Sequence, residues 1–249
     1  MKKTILAVTL LFALSLSGAA NAFTESVDGN FSGSINFSGA IVDSTPIWRW
    51  EVPGEAALTG WDMKETDGVV SGSFGEHTTF TFASKPTMTL IHGFMKTPAV
   101  SGGVGLTPRI TLNEGVSTVI LEGDTKSTVR LVATGRDAKN AAVADGTMEI
   151  KAQAFLGGVL IDASTVKYFG STKAQTLLSS NQADFATTYP SPVAATNNFS
   201  EARALFGNRA MSDLSGAYVV EVSDYKLTFP TVSLPATWEV IIPVTVRVF

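Results

Sequence analysis

The chain has 249 residues, 45% hydrophobic and 16% charged, with 22 acidic against 18 basic side chains and a formal net charge of −4. So apolar a composition excludes a disordered chain, and an acidic balance lacks the basic footprint that holds nucleic acid, so no nucleic-acid partner is expected. Cysteine is absent, so disulfide staples are excluded and stability has to come from a buried core, which a chain of this length can form.

The chain opens Met1-Lys2-Lys3, stays almost wholly apolar over 5–16, and passes through Ser17-Gly18 to Ala20-Asn21-Ala22. A basic start, a short apolar run and an A-x-A site predict a signal peptide over 1–22, cleaved after Ala22 to leave Phe23 as the new amino terminus. The apolar run is shorter than the roughly 20 residues that cross a bilayer, which argues against a retained anchor. Loss of two of the 18 basic residues with the leader takes the net charge from −4 to −6 over residues 23–249.

From Val27 the chain alternates. Val27, Gly29, Phe31, Gly33, Ile35, Phe37, Gly39 and Ile41 make an apolar and glycine face, backed by Asp28, Asn30, Ser32, Ser34, Asn36 and Ser38. Period two is the strand signal. Residues 27–41 fully extended would reach about 50 Å, far beyond the usual strand of roughly 17–20 Å. Two strands in tandem are predicted, or one strand preceded by a segment that pairs elsewhere.

Further strands are predicted at 47–52, 78–82, 88–91, 108–112, 118–121, 128–134, 147–156 and 159–161, from β-branched and aromatic residues separated by Gly, Asp and Asn. Gly157-Gly158 reads as a tight reversal or a bulge. The segment from about 164 to 216 departs from this pattern and reads as a surface insertion. Two short helices are predicted in it, at 171–180 and at 200–206, the second capped by Ser200 and stopped by Gly207. Strands resume at 217–222 and 225–229.

The chain ends on a strand pattern over 238–249, with Val240, Ile242, Val244, Val246 and Val248 on one face. Pro243 cannot donate to a ladder and suits an edge or a bulge. A hydrophobic last strand with nothing after it to cover its edge is an aggregation liability, and a strand supplied by a partner is the remedy.

Catalytic chemistry is thin. His77 and His92 stand on separate predicted strands without metal spacing. Asp43, Glu51, Asp62, Glu65 and Asp67 read as a solvated acidic face rather than an acid/base pair held across a cleft. Ser101-Gly102-Gly103-Val104-Gly105 is followed by no helix that would offer amides to a phosphate, and reads as a turn. Trp48 and Trp50 share one strand face, suited to core packing or to stacking on a sugar. No catalytic residue, metal or cofactor is expected, and the chain is not read as an enzyme.

Several stretches together resemble one family. Asp28-Gly29-Asn30-Phe31-Ser32-Gly33-Ser34-Ile35, Trp48-Arg49-Trp50-Glu51-Val52, Lys85-Pro86 and Thr97-Pro98-Ala99-Val100-Ser101-Gly102-Gly103-Val104 carry the likeness. So do Lys139-Asn140-Ala141, Glu201-Ala202-Arg203-Ala204-Leu205-Phe206-Gly207 and the closing Pro243-Val244-Thr245-Val246-Arg247-Val248-Phe249. They resemble the fimbrial subunits assembled by the chaperone/usher pathway, in the branch whose major subunit in porcine enterotoxigenic bacteria is itself the adhesin.

The resemblance implies an all-β, incomplete immunoglobulin-like sandwich completed by a donor strand, with a partly helical insertion. It implies a donor extension over 23–33 and a pilin domain over 34–249, with the insertion at about 164–216. Val27, Gly29, Phe31, Gly33 and Ile35 would be the donor stripe. Val244, Val246 and Val248 would lie against the donor strand of a periplasmic chaperone, with the carboxylate of Phe249 held in the chaperone cleft. The remaining partners implied are an outer-membrane usher and neighbouring subunits, in a fimbria exported through the periplasm to the cell surface. The chain departs from the adhesin-type major subunit in being slightly shorter and in differing through much of 162–198. That places a minor or ancillary structural subunit first. The alternative is a carbohydrate-binding adhesin that contacts a host glycan or glycoprotein through Tyr168, Phe169, Asp184, Phe185, Tyr189, Asn197, Asn198 and Phe199.

Overall fold

The computed structural model describes residues 24–26, 31–33, 47–53, 61–72, 75–114, 117–123, 125–162, 165–182 and 198–249. The leader, Val27, Gly29, Ile35 and Asp43 lie outside them. The described strands are β1 (Thr24–Ser26), β2 (Phe31–Gly33), β3 (Trp48–Glu51), β4 (Val69–Ser71), β5 (His77–Thr81), β6 (Met88–Met95), β7 (Ala99–Ser101) and β8 (Pro108–Glu114). They continue with β9 (Ser117–Leu121), β10 (Ser127–Arg136), β11 (Ala142–Asp162), β12 (Thr165–Gly170), β13 (Ser212–Pro230), β14 (Thr237–Val240) and β15 (Val244–Val248). Two α-helices, α1 (Thr172–Asn181) and α2 (Phe199–Gly207), stand between β12 and β13.

Among the described residues the strands form two antiparallel sheets. The larger has eleven strands and runs β1-β3-β6-β13-β11-β10-β14, with β12, β5, β4 and β7 attached at its flanks. The smaller has four, in the order β2-β15-β8-β9. The molecule is an all-β, immunoglobulin-like sandwich with a helical insertion.

The spine of the large sheet is the pair β11 and β13, joined from Thr147↔Thr228 to Ile161↔Ser212. Their length corrects the expectation of separate strands on either side of Gly157-Gly158, because β11 runs straight through both glycines. The glycines serve close approach and not a reversal. A Cβ at Gly157 would sit 2.7 Å from both the N and O of Ser171, and one at Gly158 would sit 2.1 Å from Ser215 O. The break expected between 222 and 225 is a bulge inside β13, where Lys151 faces Ser223 while Glu149 faces Lys226. Asp224 takes φ +57° there, the left-handed conformation that Asp tolerates at bulges. The Lys126 ammonium bonded to Asp224 holds its carboxyl below the usual carboxylate value, with help from the Ser223 hydroxyl.

The run 217–220 is apolar on both faces because both faces are covered. Tyr218, Val220 and Val222 enter the main core between the sheets, while Ala217 packs outward against Ala174 and Leu178 of α1. Helix α1 starts on Ser171, whose Oγ accepts from the Lys173 N–H at 3.3 Å. Helix α2 buries Phe199, Ala202 and Phe206 in the main core, one stripe at helical spacing. Its cap is Asn198 and not Ser200: the Glu201 N–H donates to Asn198 Oδ1 at 2.9 Å. The glycine-rich loop expected as a simple turn closes the other end of this helix. Gly103 N–H donates to Phe206 O at 2.8 Å, satisfying a carbonyl that the helix end leaves open, and Gly102 N–H donates to Met211 O at 2.9 Å just beyond it. Strand β12, and the start of β13 at Ser212, also narrow the non-strand part of the 164–216 segment.

The last correction concerns the chain end. The continuous strand expected over 238–249 is two strands in different sheets: β14 pairs with β10, and β15 pairs with β8. The step between them falls at 241–243, where Pro243 has no N–H to give a ladder while its carbonyl accepts from Asn113 at 3.2 Å.

Candidate functional site

The edge of interest is built by β15. Its even positions point inward: Val244 is 3% exposed and Val246 0%, opposite Leu112 and Ile110 of β8. Its odd positions, Thr245 and Arg247, point outward. On the other flank lies β2, antiparallel, with Val244↔Gly33, Thr245↔Ser32 and Val246↔Phe31. The edge expected to be bare is thus covered by an early segment of the same chain, over three of the described residues.

Beyond Val244 the inward face continues. Ile242, Val240 and Trp238 prolong the even stripe, all of them half-buried. They line a cavity of about 770 Å³ that opens between the 234–244 segment and strands β6, β11 and β13 of the large sheet. Met88, Leu90, Met148, Ile150, Val222 and Phe229 form its floor, and Asp62, Glu65 and Glu239 stand on its polar rim. At its mouth Trp61 meets Phe82 at 5.0 Å, Tyr225 at 4.9 Å and Trp238 at 6.5 Å between ring centroids, all edge-on. Lys85 Nζ stands 4.9 Å from the Trp61 ring. Tyr225 is fixed by its hydroxyl, which donates to Val222 O at 2.7 Å, and burial pushes its ionisation up to about 12.

The carboxyl end is tied down. Phe249 N–H donates to Thr107 O at 3.0 Å and Thr107 N–H to Phe249 O at 3.2 Å. The Arg109 guanidinium lies 4.6 Å from the Phe249 ring, within cation–π range. Arg109 Nε donates to Glu122 Oε1 at 2.5 Å, and Glu122 Oε2 accepts from Arg203 of α2 at 2.8 Å. One carboxylate therefore links the strand that flanks β15 to the insertion. Beneath it the Tyr218 hydroxyl donates to Leu121 O at 2.6 Å, and burial, with Glu122 nearby, drives its ionisation far above the usual tyrosine range.

Of the donor stripe, Phe31 and Gly33 are at described register positions opposite Val246 and Val244; Val27, Gly29 and Ile35 are outside the described residues. Of the glycan-contact residues, Phe169 and Phe199 are 4% and 3% exposed and belong to the main core, so neither ring offers a face to a sugar. Asn198 is occupied in capping α2. Tyr168 is half-buried on β12, and Asp184, Phe185, Tyr189 and Asn197 lie outside the described residues. Trp48 and Trp50 are stacked at 5.2 Å and 15° inside the core, which removes the sugar-stacking alternative for that pair. His92 Nε2 and Glu51 Oε2 are 3.0 Å apart across β3 and β6. Among the described residues no group of three or more His, Asp or Glu is placed to hold a metal ion.

The fold and this groove define an all-β sandwich module whose inner face is left partly open along its last strands. The chain belongs to the family described as fimbrial, major and minor subunit, which matches residues 1–160. It is a structural subunit of a fimbria, a cell-surface fibre in which it associates with other subunits. No curated protein matches the chain.

Proposed function

We propose that the chain is a minor or ancillary structural subunit that polymerises by strand donation. The observation that carries this reading is the change in burial along one strand face. Where β2 lies alongside, Val246 and Val244 are buried; past its end, Ile242, Val240 and Trp238 are half-buried around an open apolar cavity. A strand with apolar residues at every second position is what such a face accommodates. The stripe Val27, Gly29, Phe31, Gly33 and Ile35 has that pattern, and directly opposite residues of paired strands share a face. The donor extension is residues 23–33 of the neighbouring subunit. Donor and acceptor on different parts of one molecule make a heterologous contact, which grows a filament unless the rotation closes.

During export the same edge is held by a periplasmic chaperone through Val244, Val246, Val248 and the carboxylate of Phe249, before an outer-membrane usher passes the subunit to the growing fimbria. The signal peptide over 1–22 supports that route. The glycan-binding alternative loses support, since Phe169, Phe199 and Asn198 have structural roles.

Deleting residues 23–33 from the mature chain tests the donor assignment. Filaments seen by electron microscopy of cells that make the full set of subunits should fall at least tenfold at unchanged subunit level. Filaments of ordinary length and number from the shortened chain would refute it.

A further inference from the structure

The strand beside β15 is the chain's own. All three residues of β2 pair with β15, Thr245↔Ser32 at the centre, so residues near the two ends of the sequence close one sheet edge. We propose that this contact is an autoinhibitory cap: in the free subunit β2 holds the position that a second copy's strand takes in the fimbria, and it has to leave before that strand can enter. The proposal rests on the strand-donation reading.

Three features suit β2 to this role. Its three residues pair with Val244, Thr245 and Val246, so few backbone hydrogen bonds hold β2 itself. It nevertheless blocks the section of edge where inward side chains are most deeply buried, and an exposed apolar edge of that kind would pair with any passing strand. Being part of the same chain, it acts at high effective concentration and needs no partner. β2 itself ends opposite Val244, short of the cavity lined by Ile242 and Val240. An incoming copy's stripe runs on to Ile35, which in the same register faces Ile242, a contact that β2 does not make. The longer strand displaces the shorter one by this difference.

The test uses Ser32→Cys with Thr245→Cys in the full mature chain, which has no other cysteine. Directly opposite positions of an antiparallel pair lie within the Cα separation a disulfide spans. Thr245 faces outward, so the core is untouched. Mild oxidation of the purified subunit should give an intramolecular disulfide in a monomer, with oligomer formation suppressed at least tenfold and restored by reductant. Crosslinks found only between chains would overturn the cap and leave strand donation standing. An oxidised monomer that assembles as fast as the reduced one, or no disulfide at all, would also overturn the cap.

Gly33→Pro gives a second reading that does not depend on cysteines. Odd residues of β15 bond to β8, so the even ones face β2, and loss of the Gly33 N–H opposite Val244 should loosen β2 and quicken hydrogen exchange of the Val244 and Val246 amides in the monomer. Unchanged exchange would refute the cap. Fimbriae unaffected by loss of residues 23–33 would refute strand donation, and the cap with it.

Discussion

Replacing Val246 by Asp is expected to leave almost no folded subunit and no fimbriae, whereas Arg247→Asp, one residue along, is expected to leave both near the wild-type level. Val246 is fully buried between Ile110 and the register position of Phe31, in a layer with no cation to meet a carboxylate among its cross-strand neighbours. Placing an unpaired carboxylate there removes a packed side chain and demands either a buried charge or a protonated acid. The combined cost is about 4 kcal/mol or more, a large share of the roughly 5–15 kcal/mol that holds a domain together. Arg247 points to solvent opposite Arg109, so a negative charge there meets opposite charge and no desolvation. Recovery of soluble subunit and a fimbria count on cells read both effects. Equal behaviour of the two variants would show that the even face of β15 does not look inward.

Gly158→Ala is expected to destabilise the subunit by about 3 kcal/mol, at the upper end of what one added methyl group costs in a packed interior. The new Cβ would lie 2.1 Å from Ser215 O and 2.9 Å from Gly216 Cα, both backbone atoms of β13, so no side-chain rotation relieves the overlap. The β11–β13 pair itself has to part. For a chain of this size that corresponds to a fall in Tm of roughly 6–12 °C, measurable by calorimetry. Gly207→Ala is the control, because a Cβ there meets nothing within 4 Å. It should be neutral or slightly stabilising through helix propensity. A Gly158→Ala variant melting with the wild type would mean that the two strands are not as close as described.

The all-β class and the strands at 47–52, 108–112 and 128–134 were legible because one face of each is buried and the other is not, which writes a period of two into the sequence. The inward stripe from Val240 to Val248 was legible for the same reason. Misreadings arose where a residue serves a neighbour distant in sequence. Gly157-Gly158 looks like a turn locally, and only the positions of Ser171 and Ser215 reveal that the space is needed for other backbones. Ser200 is as good a cap as Asn198 by residue type, and the difference lies in where Phe199 must point to reach the core beside Tyr218. The groove was half legible. The even stripe could have been followed back to Trp238, but nothing in the sequence sets Trp61 beside it, because Trp61 stands in a loop far upstream. Phe169 and Phe199 read as surface aromatics because the segment reads as an insertion, and both are the part of it that anchors to the core.

The order of the small sheet bears on when this molecule can fold. Its second strand, β15, is synthesised after every other described strand, and its neighbours come from far upstream; Thr111 and Thr245, 134 residues apart, share a hydrogen bond. The loop that must close before those contacts form is long, and topologies of this kind fold slowly. Until β15 has left the ribosome, β8 and β9 have no third strand, and the inner face of the large sheet has no cover over that region. The nascent chain is therefore kept from a premature native state by its own connectivity.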